Sequence, residues 1–557
     1  MTLGQQLSEN HGGEPEPLPG SLWHWLSEAG SSNPNNLALV VDNKGKPTVT
    51  WTYAQLIDRV EKLASYFTAQ NVVAGDTIFT FIDNTEADVW TLLFWTAVRI
   101  GAIFAPENPH TLGRPQETRK LIETLRPAVV VVQDFDGSRQ YEEYGHEPKV
   151  RLLCNELSKA GTSSSWLPMH SIQDLQAATN PAPHHTRSSE STALVMNTSG
   201  STSLPKSCPI TTRAFVIQTR QYHSFHRSNY TPRTRTLTLA FCYRPICYLG
   251  CLNTWQRGGT VIFAGSNIDE QRTVEVVRKW KVTHAWFVPA MVNLLSAYHD
   301  EKQSRGQGLE SLEFVLMSGD ASALSTVEKA KAFLPDSCKF APHWGMSEGA
   351  PLFGFTEEEP LHLDKDSKIV GAGRALHGSR LRVCKSNTTT PVPRRTQGEF
   401  HVSSDATITQ YLENRNPEDF YNDEYGRWFK TGDVALMDES GVIYIIGRTK
   451  DIIVYKGRNI VPAVIEGCIK EGFPGVEAVC IGLDDEVYGA VPAVVVQELR
   501  VGKEDVAKVV VERLGAWAAL AGGVYSLKDL GMDAWPMNSS NKIDKKGLVS
   551  AVLKARE

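Results

Sequence analysis

The sequence predicts an α/β protein: a large N-terminal part of stacked sheets and helices, followed by a small α+β unit. Three observations carry this. Short apolar, β-branched runs at 128–132, 261–263, 287–288 and Phe314–Met317 each give way to a turn or a helical pattern. That alternation is what buried, partly parallel strands with covering helices produce. Near Gly447-Arg448-Thr449-Lys450 the apolar runs stop, which predicts a boundary with residues 1–448 on one side and 449–557 on the other. Of the 557 residues, 41% are hydrophobic and 22% charged, a balance that excludes disordered and fibrous chains.

In chain order, the run at 193–196 reads as a strand leading into a Ser-rich stretch. The segments 158–192 and 386–397 are rich in Ser, Thr and Pro and read as loops. Beyond the boundary, 442–446, 452–455, 476–481 and 493–496 read as strands and 463–470 as a short helix. From Glu504, apolar Val506, Val509, Val510 and Leu514 recur on one helical face.

The net charge of −6 offers no general attraction to nucleic acid or anionic membranes. No apolar run approaches the ~18 residues of a membrane span. The N-terminus is polar without a basic-then-apolar leader, and the last residues are not a peroxisomal tripeptide, so a cytoplasmic protein is expected. Nine Cys, odd in number and set among apolar neighbours, suit reduced thiols. Cys242, Cys247 and Cys251 come close to a cluster-ligand spacing but lack an evident fourth ligand.

Five motifs carry chemistry. Thr198-Ser199-Gly200-Ser201-Thr202-Ser203-Leu204-Pro205-Lys206 has small residues, hydroxyls and a cation suited to phosphates, although taken alone it reads better as a flexible Ser-rich linker. Pro205 stands where a Walker A loop needs Gly. His343-Trp344-Gly345-Met346-Ser347-Glu348 places an aromatic able to stack on a purine near a carboxylate able to hold Mg²⁺ beside phosphates. Taken alone, it reads equally well as a packed Trp and a helix start. In Lys430-Thr431-Gly432-Asp433, Asp433 could accept from ribose hydroxyls or simply close a tight turn. The fourth motif is Gly447-Arg448-Thr449-Lys450-Asp451 with Gly457-Arg458-Asn459-Ile460-Val461-Pro462 and Glu466. The fifth is Asn538-Ser539-Ser540-Asn541-Lys542-Ile543-Asp544-Lys545-Lys546; each of these two, alone, reads as a solvated charged surface.

Together and in this order, the motifs resemble those of the adenylate-forming superfamily, which includes acyl-CoA synthetases, nonribosomal-peptide adenylation domains and beetle luciferases. Trp51-Thr52-Tyr53-Ala54-Gln55-Leu56, Gly101-Ala102-Ile103-Phe104-Ala105-Pro106, Met317-Ser318-Gly319-Asp320-Ala321 and Gly398-Glu399-Phe400 extend the resemblance over nearly the whole chain. It implies an adenylate-forming N-terminal domain with a mobile C-terminal lid. It also implies ATP-dependent activation of a carboxylic acid to an acyl-AMP, then transfer to a thiol such as coenzyme A.

By the same resemblance, Thr198, Ser199, Gly200, Ser201, Thr202 and Lys206 would cradle phosphates. Trp344 would take the adenine-side aromatic's place, with His343 among the nucleotide-binding residues and Ser347 near the α-phosphate. Glu348 would hold Mg²⁺, and Asp433 with Arg448 would hold the ribose. Lys542 would bridge the acid and AMP. Lys450 would be the hinge and Gly457 part of the thiol entry.

Three features depart from the family pattern. Ser203 stands where Gly is usual, and Asn541 replaces the Gly before the catalytic Lys. The acyl-site segment reads Phe241-Cys242-Tyr243-Arg244-Pro245-Ile246. Arg244 could neutralise the substrate carboxylate or pair elsewhere. Tyr243, Tyr248, 286–289 and 317–320 are expected to line the acyl pocket, favouring a flat or apolar acid. A specialised, secondary-metabolite role is expected.

Three other readings stay open. One is a carrier protein as thiol acceptor. Another is an adenylate-binding pseudo-enzyme. The third is a serine hydrolase in which Gly345-Met346-Ser347-Glu348-Gly349 matches a nucleophile elbow, with Asp364 and His377 or His401 as partners.

Overall fold

The computed structural model describes residues 6–15, 20–155, 165–173, 187–198, 205–225, 230–266, 269–302, 304–318, 324–350, 352–355, 359–364, 369–456, 458–473, 475–498, 501–537 and 543–556. The expected α/β architecture is present. Among the described residues, two seven-stranded sheets, a six-stranded sheet and a two-stranded one occupy the chain up to Arg448, and a five-stranded sheet follows.

In the first sheet the strands run Lys206–Thr211, Thr192–Thr198, Ile103–Glu107, Thr77–Phe81, Val129–Val132, Val150–Leu153, Leu167–Pro168. All neighbours are parallel except Lys206–Thr211 against Thr192–Thr198. Val129–Val132 is buried at every position, which is why it reads as a continuous apolar run. The second sheet is parallel from Lys339–Pro342 to Leu37–Val41 and closes with antiparallel Val49–Thr52. The strand expected at 287–288 lies earlier, at His284–Phe287. Pro289 then starts the helix Pro289–Glu301, where its fixed φ and missing N–H are tolerated.

The large apolar core is centred on the helix Ala87–Ile100, which is buried almost all round. Its Trp90 meets Tyr248 edge-on at 5.0 Å and Phe263 at 5.9 Å. Burial of each such side chain is worth about 1.5–3 kcal/mol. The segment 51–56 has a plain local reason. Thr52 caps the helix Tyr53–Ala69, its Oγ1 accepting from the Gln55 N–H, while Gln55 Oε1 accepts from the Thr52 N–H. Tyr53 then donates its hydroxyl to the Gly259 carbonyl at 2.7 Å.

After Arg448 comes a short 3₁₀ turn, Thr449–Asp451. Residues from Ile453 to Val552 then bury one another in an apolar cluster of their own. Its sheet pairs Ala478–Asp485 with Gly489–Val496, flanked by Ile453–Tyr455, Arg458–Ile460 and Gly523–Ser526. The helix read from Glu504 is Lys503–Leu514, with Val506 and Val510 buried. Among the described residues, no helix is long and apolar enough to cross a membrane.

Candidate active site

Strand ends assemble the site. Thr198 ends one strand and Lys206 begins the next, and the two are paired in register. The Lys206 ammonium lies 3.1 Å from Asp419 Oδ2 and 4.5 Å from the centre of the Tyr411 ring. Tyr411 in turn donates its hydroxyl to Glu348 Oε1 at 2.7 Å. Burial, and then the Glu348 carboxylate beside it, push the Tyr411 phenol far above its ordinary pKa. It therefore stays a hydrogen-bond donor at any working pH.

Glu348 is partly exposed, in a turn rather than at the helix start that the sequence allowed. Gly349, next to it, is required: a Cβ there would sit 2.6 Å from the Ala406 carbonyl oxygen. The Ile408 N–H donates to the Glu348 carbonyl at 2.8 Å, so the turn is tied to the loop that carries Tyr411.

Asp433 lies within the long strand Gly426–Met437 rather than in a free turn. Gly432 takes a left-handed φ of 71° there, and the pairing with Gly398–Ser404 shifts register. Such a bulge re-aims the next side chain. Asp433 is buried and faces Arg448 across the strand pair, with Nη1 3.2 Å from Oδ1. Arg448 also donates to the Thr431 carbonyl at 2.8 Å. Burial opposes the charge on Arg448, but Asp433 and then Glu348 hold its pKa above the ordinary value. Arg448 is thus held by Asp433 and Thr431 and feels the Glu348 charge.

Trp344 stacks on Phe353 at 4.9 Å and meets Phe400 edge-on at 6.0 Å. Thr431 Oγ1 donates to the Phe400 carbonyl, which links this aromatic corner to Arg448. His343 is buried, its backbone N–H donating to the Met317 carbonyl at 2.7 Å. Burial drops its pKa to about 4, so it is neutral near pH 7.

Arg244 precedes the helix Pro245–Gln256 and lies over the Tyr243 ring at 5.6 Å, itself stacked on Phe241 at 5.1 Å. Among the described residues, its guanidinium has no ion-pair or hydrogen-bond partner. It reaches Glu107 electrostatically. Glu107 accepts from Asn197 Nδ2 at 2.9 Å, and Asn197 accepts from Ser207 Oγ at 2.7 Å. Arg244 is thereby placed beside the strands that flank the 198–206 motif.

Lys450 lies in the 3₁₀ turn directly after Arg448. Ser199, Gly200, Ser201, Thr202, Gly457 and Lys542 lie outside the described residues, as do Ser203, Gly319, Asp320 and Asn541. Near the fifth motif, Lys545 lies 3.2 Å from Glu466 on the helix Pro462–Gly472.

Two expectations are corrected. Tyr248 does not line an open pocket: it is fully buried, edge-on to Trp90, Phe94 and Phe215. Trp286 is likewise core, its ring so near Gly250 that a Cβ there would come within 2.9 Å. The hydrolase constellation is also not assembled. Asp364 pairs with Arg395 at 3.1 Å, His401 Nδ1 bonds the Tyr421 hydroxyl at 3.0 Å, and among the described residues Ser347 bonds none of Asp364, His377 or His401. All nine cysteines are free. Cys242, Cys247 and Cys251 are buried, the last two with sulfurs 4.0 Å apart.

Tyr411 and Asp419 were not legible from the sequence. They lie 63 and 213 residues from the partners they touch.

The AMP-binding enzyme family matches residues 26–412. The chain belongs to this family. Among curated relatives, an acyl-CoA ligase of Pestalotiopsis microspora is 28% identical over 516 residues, covering 90% of this chain and 87% of that protein. 4-Coumarate–CoA ligase 1 of Petroselinum crispum is 24% identical over 452 residues, covering 80% and 79%. Among solved structures, the anthranilate CoA ligase AuaEII in complex with anthranoyl-AMP superposes with a TM-score of 0.79 at 18% identity, covering 97% of this chain and 99% of that one. ATP-bound MatB from Rhodopseudomonas palustris superposes at 0.77 and 20% identity, covering 95% and 98%. The likeness in fold therefore spans both parts of this AMP-binding enzyme.

Proposed function

We propose that this enzyme is an AMP-forming acid–thiol ligase that joins a carboxylic acid to coenzyme A. The observation that carries the proposal is a pair of contact groups, Lys206–Tyr411–Glu348 and Arg448–Asp433, with the Glu348 charge also acting on Arg448. The ligase names of its curated relatives support the same reading.

In the first half-reaction a carboxylate oxygen of the acid attacks the α-phosphorus of ATP. A new O–P bond forms, the bond to the β-phosphate oxygen breaks, and pyrophosphate leaves. In the second, the thiolate sulfur attacks the acyl carbon and AMP departs with the bonding pair. The first step brings two anions together, so fixed positive charge is what the protein must supply. Lys206 supplies it to the outer phosphates, with hydroxyl and backbone donors from the residues before it, and Lys542 supplies it to the acid and α-phosphate. Asp433 accepts from the ribose hydroxyls with Arg448 holding it in place, and Trp344 forms one wall for the base.

Mg²⁺ fits the donor set in one way. Among the described residues, no group of three or more metal-ligating side chains exists. Glu348 offers a single carboxylate with one oxygen engaged by Tyr411. Magnesium bound through one carboxylate and substrate phosphates needs no more. Bound there, it would neutralise phosphate charge, with Glu348 as its protein ligand.

The division at 448/449, with Lys450 as pivot and the Gly457 segment entering for the thiol, belongs to the same proposal. The stacked Phe241 and Tyr243 rings under Arg244 favour a flat, aromatic acid whose carboxylate meets the guanidinium. A cytoplasmic enzyme of specialised, secondary-metabolite synthesis fits that substrate class.

The test is pyrophosphate–ATP exchange across aliphatic, aromatic and heteroaromatic acids without thiol, followed by coenzyme A as acceptor. Exchange with aromatic acids and thioester formation on adding coenzyme A is the expected result. Exchange without acyl transfer to coenzyme A would move the acceptor to a carrier protein. ATP binding without exchange for any acid would favour a pseudo-enzyme.

A further inference from the structure

Resting on that reading, we infer that Asp419 sets how tightly Lys206 holds phosphate, keeping the pyrophosphate product easy to release. Asp419 closes the 3₁₀ turn Pro417–Asp419, and its Oδ2 lies 3.1 Å from the Lys206 ammonium. Both side chains are partly shielded, with 27% and 21% exposure, so solvent screens the pair less than it would a surface pair. An ammonium alone presents a full positive charge to an arriving anion. With a carboxylate at this distance, most of that charge is cancelled a few ångströms away.

The backbone suggests a placed carboxylate rather than a chance surface contact. Glu413, Asn414 and Asn416 all have left-handed φ, at 58°, 51° and 49°. Asn adopts this conformation readily, but for Glu413 it is held by the surroundings. Here, Arg415 donates to the Pro205 carbonyl at 2.6 Å, Lys120 pairs with Glu413 at 2.8 Å, and Asp419 pairs with Lys206. Two of these three ties fasten the segment to the end of the 198–206 motif. A two-step enzyme must bind ATP and then shed pyrophosphate before the thiol step. A fully charged Lys206 would favour the first at the expense of the second.

The direction of the effect separates this role from simple positioning. Asp419→Asn keeps the size and an acceptor oxygen while removing the charge. In the full-length enzyme, calorimetric titration with inorganic pyrophosphate should show Asp419→Asn binding roughly three- to tenfold tighter than wild type. Its KM for ATP should fall in the same proportion. The gap should widen at low salt, and Asp419→Glu should restore wild-type affinity. Should Asp419→Asn fail to fold, Asp419→Ser carries the same comparison.

Equal or weaker pyrophosphate binding by a folded charge-removed variant would overturn the inference, leaving Asp419 only to orient Lys206. If wild type exchanges pyrophosphate but the variants bind it alike, this inference alone falls. If wild type neither binds pyrophosphate nor exchanges it with any acid, the underlying reading falls as well.

Discussion

The phenol of Tyr411 donates to the carboxylate of Glu348 at 2.7 Å, and the Lys206 ammonium lies over the ring of that phenol. One side chain thus holds both the proposed metal carboxylate and the proposed phosphate cation in place. Tyr411→Phe keeps the ring and loses the donor. A hydrogen bond to a charged group is worth about 1.5–3 kcal/mol, so kcat/KM for ATP should fall roughly ten- to a hundredfold. The Mg²⁺ concentration giving half-maximal exchange should rise, because Glu348 is no longer oriented. An unchanged Mg²⁺ titration would refute the role given to Tyr411.

Asp433 and Arg448 are expected to separate nucleotide binding from acid binding. Asp433→Asn keeps the shape but removes the charge that fixes Arg448. The KM for ATP should rise about tenfold or more, the cost of roughly one charge-assisted hydrogen bond, while the KM for the acid stays put. Steady-state kinetics with each substrate varied in turn decides this. A parallel rise in both constants would point to general disruption.

Lys542→Ala should abolish adenylation while largely keeping thioester formation from a synthetic acyl-AMP. The two half-reactions can be followed separately, by pyrophosphate exchange and by consumption of coenzyme A. Equal loss of both would remove Lys542 from its assigned role and would count against a lid that changes position between steps.

His343 gives a pH dependence with a definite sign. Burial drops its pKa to about 4 in the folded chain, against an ordinary value near 6.5. The unfolded chain therefore takes up this proton first as pH falls. Stability from this residue is complete above about pH 6.5, is lost progressively below it, and reaches its full loss below about pH 4, roughly 3 kcal/mol in all. Urea titrations from pH 7.5 to 4 on wild type and His343→Gln test this. The variant should lack that part of the acid loss; identical slopes for the two proteins would dismiss it.

Much of the fold was legible because burial writes itself into spacing. Val129–Val132 is buried on both faces and is correspondingly apolar throughout, and Val506 and Val510 mark a helical face one turn apart. The 51–56 segment carried a local signal too, since Thr52 and Gln55 cap each other three residues apart. The site was legible only where its residues sit in one motif. Glu348 and Asp433 stand in short runs of distinctive residues. Tyr411 and Asp419 stand among ordinary loop residues, and only the tertiary fold brings them to Glu348 and Lys206. Tyr248 and Trp286 were misread for a related reason: an aromatic destined for the core and one destined for a pocket wall look alike in sequence.

The cross-strand pair of Asp433 and Arg448 has a mechanical consequence. Arg448 is the last residue of its strand, and the 3₁₀ turn Thr449–Asp451 starts at the next peptide. If the chain swivels at Lys450, its fulcrum is bolted to the groups proposed to grip the ribose. The C-terminal unit can then sweep through a wide arc while the nucleoside end stays still. The nucleotide would serve as the bearing on which the enzyme turns, and AMP would be the natural last product to leave.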